Sequence, residues 1–331
     1  MNRREMSRRL LAGSLLGLGA LGGGLARAQS QNAFPSRSIR MLVGFAAGGP
    51  TDNAARMIAE AMGQRLGQAV IVENRPGANG LMAVTELQRS KPDGYSILLA
   101  SNGSLTVAPA RFARLPYDSR RDFALIGPVV AYPHVLVVPA ASPAHDFPSF
   151  LRMAKERETG LNAASVGHVN DLTIEWLHRL TGVRTTRVAY KGDSAVISDL
   201  VGNRVDFALL APNVAMPLVQ GQKLKAIALT SPGGASALAG LKTIKESGLP
   251  DFEVEVWNCL AAPKGTAPET INKLGAALRK AQENPDIQAR LALSGQHVLI
   301  GDAHALGQRI DQETTRWQTI AREAGLPLLD L

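Results

Sequence analysis

The chain has 331 residues, with 36 Lys or Arg against 28 Asp or Glu, a single cysteine and few aromatics. That length admits two domains. Cys259 has no partner for an intramolecular disulfide, and scattered basic residues with sparse aromatics give nucleic-acid binding no footing, so no nucleic-acid partner is expected. Part of the formal charge of +8 sits in residues 1–28: five Arg and one Glu give +4 there, and the remaining 31 basic and 27 acidic residues give +4 again.

In chain order, Arg3, Arg4, Arg8 and Arg9 make a positively charged start, residues 10–25 are apolar and glycine-rich, and Ala26-Arg27-Ala28 is a small-x-small triplet. That pattern predicts a secretory signal peptide over residues 1–28, a mature chain from about Gln29, and a periplasmic location. Ser7-Arg8-Arg9-Leu10-Leu11 also fits a twin-arginine signal, so the export route stays open between Sec and twin-arginine. Gly17-Leu18-Gly19-Ala20-Leu21-Gly22 spells G-x-G-x-x-G, but a dinucleotide fingerprint needs a strand before it and a helix after it, and this one lies in the leader.

The mature part alternates strand-like and helix-like runs. Strands are predicted at 39–45, 69–73 and 96–100, with helices after Pro50, where Ala54, Ile58, Ala61 and Met62 share a face, and around 81–89. A second series follows near His134, with strands at 135–138, 161–164, 186–190, 205–210 and 226–229, then a long β-like stretch at 253–262. The tail is helical, with stripes at Ile271, Leu274, Leu278 and Ala281 and at Leu306, Ile310, Trp317, Ile320 and Ala324. The reading is an α/β protein of two lobes, each a mainly parallel sheet flanked by helices. Lobe I is expected to comprise residues 29–132 plus 257–331 and lobe II residues 133–256, with two crossings near 131–134 and 253–258. Such an architecture holds ligand in the cleft between lobes that close by hinge motion.

Catalytic signatures are missing: no G-x-S-x-G, no Walker A, no H-E-x-x-H. The six histidines have no metal-ligand spacing and read as surface or loop residues; His168, three before Asp171, reads the same way. No metal and no cofactor are implied. Two loop–helix junctions stand out instead. Phe45-Ala46-Ala47-Gly48-Gly49-Pro50-Thr51-Asp52 follows a strand and opens a helix, with small residues that let an anion reach bare backbone N–H groups at the positive helix end. A side chain at Gly48 is expected to block that approach. Val188-Ala189-Tyr190-Lys191-Gly192-Asp193-Ser194 ends another strand. There Tyr190 either closes over a ligand or fills a gap between lobes, Lys191 either supplies charge or is solvated, and Asp193 reads as an N-cap whose charge could also select against polycarboxylates.

Several stretches in order resemble one family. They include Phe34-Pro35-Ser36-Arg37-Ser38-Ile39-Arg40, Glu73-Asn74-Arg75-Pro76-Gly77-Ala78-Asn79-Gly80, Lys91-Pro92-Asp93-Gly94-Tyr95, Leu115-Pro116-Tyr117-Asp118, Tyr190-Lys191-Gly192, Asp199-Leu200-Val201-Gly202 and Ala262-Pro263-Lys264-Gly265-Thr266. Together they make the chain similar to the periplasmic solute receptors of tripartite tricarboxylate transporters, the Bug-type receptors. The resemblance implies a two-lobed periplasmic binding protein, of the Venus-flytrap kind, that is not an enzyme. It implies a monomer that captures a small carboxylate and delivers it to membrane permease subunits; a receptor feeding a signalling partner is the alternative. Carried onto this chain, it places one ligand carboxylate between Phe45, Ala46, Ala47, Gly48, Gly49, Thr51 and Asp52 on one side and Tyr190, Lys191 and Gly192, with Asp193 beside them, on the other. Ser101, Asn102, Ser165 and Asn170 would line the ligand-selecting part. Two departures bear on the far side of the cleft: Asp171 stands where the family has His, and Asp193 where it has Gly.

Overall fold

The computed structural model describes residues 34–190, 192–233 and 238–330, so the predicted signal peptide over 1–28 and Lys191 lie outside the described residues. The chain begins with β1 (Ile39–Val43), α1 (Pro50–Leu66), β2 (Val70–Asn74), α2 (Leu81–Gln88), β3 (Ser96–Ser101), α3 (Ala108–Arg111) and β4 (Phe123–Pro133). It continues through β5 (Val135–Pro139), α4 (Phe147–Glu156), β6 (Leu161–Val166), α5 (Gly167–Thr181), β7 (Thr185–Tyr190), α6 (Asp193–Val201), β8 (Phe207–Leu210), α7 (Pro212–Gln220) and β9 (Leu224–Leu229). The last part is β10 (Glu255–Pro263), α8 (Pro268–Gln282), α9 (Pro285–Leu293), β11 (His297–Val298) and α10 (Ala303–Glu323).

Local chemistry sets the helix ends. Pro50 occupies the first turn of α1, where its missing N–H costs nothing, and Gly67 closes the helix at φ 69°. Asp146 caps α4 by accepting from the Ser149 N–H at 2.8 Å, and Asp302 caps α10 by accepting from the Ala305 N–H at 2.8 Å. α6 corrects an expectation. Its first helical residue is Asp193 and its capping position is Gly192, so Asp193 is not the N-cap.

Two sheets form among the described residues. One has the order β11-β4-β10-β3-β1-β2, the other β7-β6-β8-β5-β9. β1 pairs in parallel with β2 and β3, as β6 does with β7 and β8. The sheets are nonetheless mixed rather than mainly parallel in their pairing. β10 is antiparallel to both neighbours, β3 and β4, and β5 to both of its own, β8 and β9. These are the strands that enter from the other sheet: β5 follows β4 after His134 alone, with no crossover helix to turn it round.

The sequence pattern predicts no strand at β4. Pro128 and Pro133 argue against a strand, yet Pro128 falls at a register shift against β10, where a missing N–H breaks no ladder bond. α10 unites the two halves. Leu306 and Ile310 enter the core around Leu42, Leu98 and Trp257, whereas Trp317, Ile320 and Ala321 enter the core of Phe150, Leu161 and Phe207. The helix, in the segment assigned to lobe I, therefore packs on both cores.

The crossings are tied together by Thr230. Its Oγ1 accepts from the His134 N–H at 2.9 Å and donates to the Val254 carbonyl at 2.7 Å. Its backbone N–H and carbonyl bond to His134 and Val254 as well. Beside them, Glu313 of α10 accepts from Trp257 Nε1 at 2.8 Å and from Arg309 Nε at 2.9 Å, and Arg309 also reaches Glu255. Cys259 is fully buried in β10, and burial pushes its thiol up to about 12, so it is a small apolar core residue.

Candidate functional site

The first loop leaves the C-terminal end of β1. Gly44 is buried, Phe45 is half-buried, and Ala46, Ala47 and Gly48 lie exposed at the head of the 17-residue α1. Gly48 has φ +86° and open space where a Cβ would stand. A side chain there would meet no neighbour and would strain the backbone instead, which alters the expectation of simple obstruction. Gly49, at φ −77°, is the N-cap of α1.

Asp52 departs from the expected ligand contact. It is 2% exposed, and its carboxylate accepts from the Gly48 N–H at 2.9 Å, from Arg56 Nε and Nη2 at 3.0 and 2.9 Å, and from Asn74 Nδ2 at 2.8 Å. Burial raises its pKa, but the bonds from Arg56, Gly48 and Asn74 outweigh burial and hold it below the ordinary carboxylate range. Asp52 thus braces the loop from behind and occupies the Gly48 N–H that the sequence assigns to ligand. Asn74 extends the brace, with Nδ2 also donating to the Phe45 carbonyl at 3.0 Å. Asp52→Asn is expected to cost about 1 kcal/mol, because one carboxylate oxygen becomes an N–H group facing donors. Urea unfolding at neutral pH measures this; an unchanged midpoint would show that the brace carries no load.

Ser101 and Asn102 follow at the end of β3, beside β1. Asn102 is buried, its Nδ2 donates to the Glu255 carbonyl at 3.0 Å, and its Oδ1 is buried without a partner. Ser101 Oγ caps the next turn weakly, 3.4 Å from the Ser104 N–H. In the other sheet, Ser165 Oγ donates to Asp171 Oδ1 at 2.6 Å, and Asn170 Nδ2 donates to the Leu209 carbonyl at 2.9 Å. Both residues are 1% exposed, so these side chains are held inside the fold, with Asn170 Oδ1 also lacking a partner. Tyr190 bonds within its own unit: its hydroxyl donates to Asp199 Oδ2 at 2.6 Å, and partial burial together with that carboxylate pushes the phenol up to about 12. Gly192 is extended, with nothing near its Cβ position. Thr51 is buried in the first turn of α1.

The ends of the two sheets meet. Val166, the last residue of β6, is in register with Tyr190, the last of β7. The next turn, at the head of α5, places His168 Nε2 2.9 Å from Asn79 Nδ2 of the other lobe. A Cβ on Gly103 would stand 3.3 Å from Val169 Cγ2, so the segment after Asn102 also touches α5. Both loops, the Ser101-Asn102 pair and the Ser165–Asn170 region therefore flank one contact zone. Among the described residues no group of three or more His, Cys, Asp or Glu side chains could hold a metal ion.

Residues 54–326 match the model of the tripartite tricarboxylate transporter family receptor, TctC. The chain belongs to that family. Its members are solute-binding receptors of the periplasm rather than enzymes. The structure of the periplasmic binding protein BugD is 33% identical, has a TM-score of 0.80, and covers 89% of this chain and 100% of its own. MatC from Rhodopseudomonas palustris with bound malate is 32% identical with a TM-score of 0.77, covering 87% of this chain and 99% of its own. R. palustris Rpa4515 with adipate is 26% identical with a TM-score of 0.82, covering 90% and 100%. The match to the TctC model starts just after the first loop, so Phe45 to Asp52 stand outside it.

Sequence reasoning missed residues of this zone. His134 is 7% exposed at the crossing, and His168 is half-buried in the contact between lobes, so neither is an ordinary surface histidine. Asn74 and Asn79 sit in the recognised motif, which by itself assigns them no role. Arg187, whose Nε lies 3.2 Å from Asp171 Oδ1, carried no signal at all on its edge strand.

Proposed function

We propose that the chain is an exported receptor that captures a small carboxylated organic acid between its two lobes and hands it to the permease subunits of a tripartite tricarboxylate transporter. The observation that carries this reading is the pair of strand-end loops. Ala46 to Gly48 expose backbone at the head of α1, Gly192 opens α6, and the Asn79–His168 contact draws the two sheet ends together. Helix heads with bare N–H groups suit an anion. The acids held by relatives, malate in MatC and adipate in Rpa4515, support a carboxylate of that size. Phe45, Ala46, Ala47, Gly49 and Gly192 would then approach the ligand carboxylate directly, Lys191 and Asp193 would border it, and Asp52 would act through the loop.

Thermal-shift screening against mono-, di- and tricarboxylates, amino acids and aromatic acids tests the proposal. A ligand at a hundredfold its dissociation constant adds about 2.7 kcal/mol to the native state. At roughly 2–4 °C per kcal/mol for a chain of this size or slightly smaller, the melting midpoint should rise by several degrees. A panel in which no acid moves the midpoint would refute carboxylate capture.

A further inference from the structure

The motif Glu73-Asn74-Arg75-Pro76-Gly77-Ala78-Asn79-Gly80 has no part in holding the ligand as described above, yet it lies between the first loop and the opposite lobe. Its base is fixed by an ion-pair box: Arg40 bonds Glu73 through two nitrogens at 2.9 Å and Glu86 at 2.7 Å, while Arg75 bonds Glu86 and Glu73 at 2.9 Å. Its inner side bears on the carboxylate loop, through Asn74 on the Phe45 carbonyl and through Gly80 against Gly44. Its tip is held in an uncommon conformation, with Ala78 at φ 45° and Asn79 at φ 54°. Consecutive left-handed non-glycine residues persist only where the surroundings impose them, and such strain gathers at functional sites.

That tip presents Asn79 to α5. Asn79 Nδ2, an amide donor, stands 2.9 Å from His168 Nε2, within hydrogen-bond distance. Nδ1 faces Asp171 Oδ2 at 3.5 Å, a long contact that orients the ring electrostatically. Asp171 is itself fixed by Ser165 Oγ at 2.6 Å and Arg187 Nε at 3.2 Å. Burial raises its carboxyl, but the neighbouring His168 and Ser165 and the charge of Arg187 outweigh this and hold it below the ordinary carboxylate range. Lobe I contributes two further groups. The Phe112 ring meets His168 edge-on at 5.1 Å, and the buried Arg111 guanidinium feels the Asp171 charge. Gly167 gives the room: a Cβ there would stand 3.3 Å from Asn79 Oδ1.

We propose that Asn79, His168 and Asp171 form the closing latch of the receptor, in which Asp171 orients His168 and His168 receives Asn79 to hold the lobes shut over a bound acid. The inference rests on the capture function proposed above. It makes His168 and Asn79 positioning residues for binding, coupled to the carboxylate loop through Gly80 and Asn74.

Two measurements on the full mature chain test it. In ligand-free protein, Asn79→Ala and His168→Ala should each speed amide exchange across residues 167–171 several-fold while leaving exchange in the strands of both sheets and the circular-dichroism spectrum unchanged. With malate as the probe, each variant should lose about tenfold in affinity through faster release, the size of one lost hydrogen bond. The double variant should lose no more than either single, because the two residues act through one contact. His168→Gln, which keeps an acceptor on its side chain, should recover part of the loss. Unchanged exchange, or losses that multiply in the double variant, would overturn the latch. If malate fails to bind the wild-type chain, the exchange experiment still decides the latch, and the failed binding counts against the capture proposal instead.

Discussion

Gly44→Ala is expected to abolish ligand binding and to cost roughly 3 kcal/mol of stability, the upper end for overpacking a close contact. A Cβ at position 44 would lie 2.6 Å from Gly80 Cα, 3.0 Å from Gly80 O and 3.2 Å from Gly80 C. All three atoms are backbone, so no side-chain rotation relieves the clash. Gly80 has little freedom to yield, because it stands at φ +93° between Asn79 and α2. The loop from Phe45 to Gly49 and the turn carrying Asn79 must then separate. Separation would pull the Phe45 carbonyl from Asn74 and displace the Asp52 brace. Calorimetry with the tightest acid of the panel and urea unfolding would measure both effects. Wild-type affinity together with wild-type stability would show that the two loops do not pack as closely as 2.6 Å implies.

The contrast between Gly44 and Gly48 shows how far a sequence can be read. A run of small residues between a strand and a proline-headed helix predicts exposed loop backbone, and the chain does expose Ala46 to Gly48 there. Which glycine is needed for room and which for its backbone angle is a matter of neighbours distant in sequence. Gly44 needs space against Gly80, whereas Gly48 has space and needs its left-handed φ. Asp52 follows the same logic. Its type and place suggested a ligand contact, but its partners Gly48, Arg56 and Asn74 turn the carboxylate inward.

Periodicity located most strands and helices because each buries one face or both. It failed on β4, where Pro128 and Pro133 are tolerated by a register shift and a strand end. It also could not show direction. The parallel core follows from βα alternation, but β5 and β10 run against it because they arrive straight from the other sheet. The stripe of α10 was legible while its destination was not, since Ile310 and Trp317 serve different cores. In the far part of the second sheet, Asp171 departs from the family pattern. Its meaning depends on Ser165 and on Arg187 from the neighbouring strand, and no spacing rule links those positions.

His134 is expected to make the crossing between the two sheets acid-sensitive. It lies between β4 and β5, 7% exposed, and its backbone N–H is bound to Thr230 Oγ1, the residue that joins both crossings. Burial alone drives its pKa from 6.5 down to about 4, with no charged neighbour contributing. The folded chain therefore keeps a neutral imidazole where the unfolded chain takes up a proton. Between about pH 6.5 and 4 the unfolded state binds more protons, so stability rises with pH in that window and is lost as pH falls through it. From those two values, linkage predicts a loss of about 2 kcal/mol on going from pH 7.5 to pH 5. Asp52, Asp171 and Glu255 are held below the usual carboxylate range, so their contributions fade at lower pH than this. His134→Phe keeps a ring of similar bulk and removes the titration. Urea unfolding of wild type and variant at pH 7.5 and pH 5 isolates the effect, with the variant retaining about 2 kcal/mol more of its stability on acidification. Equal losses in the two proteins would place the acid sensitivity elsewhere and leave His134 as a packing residue of the crossing.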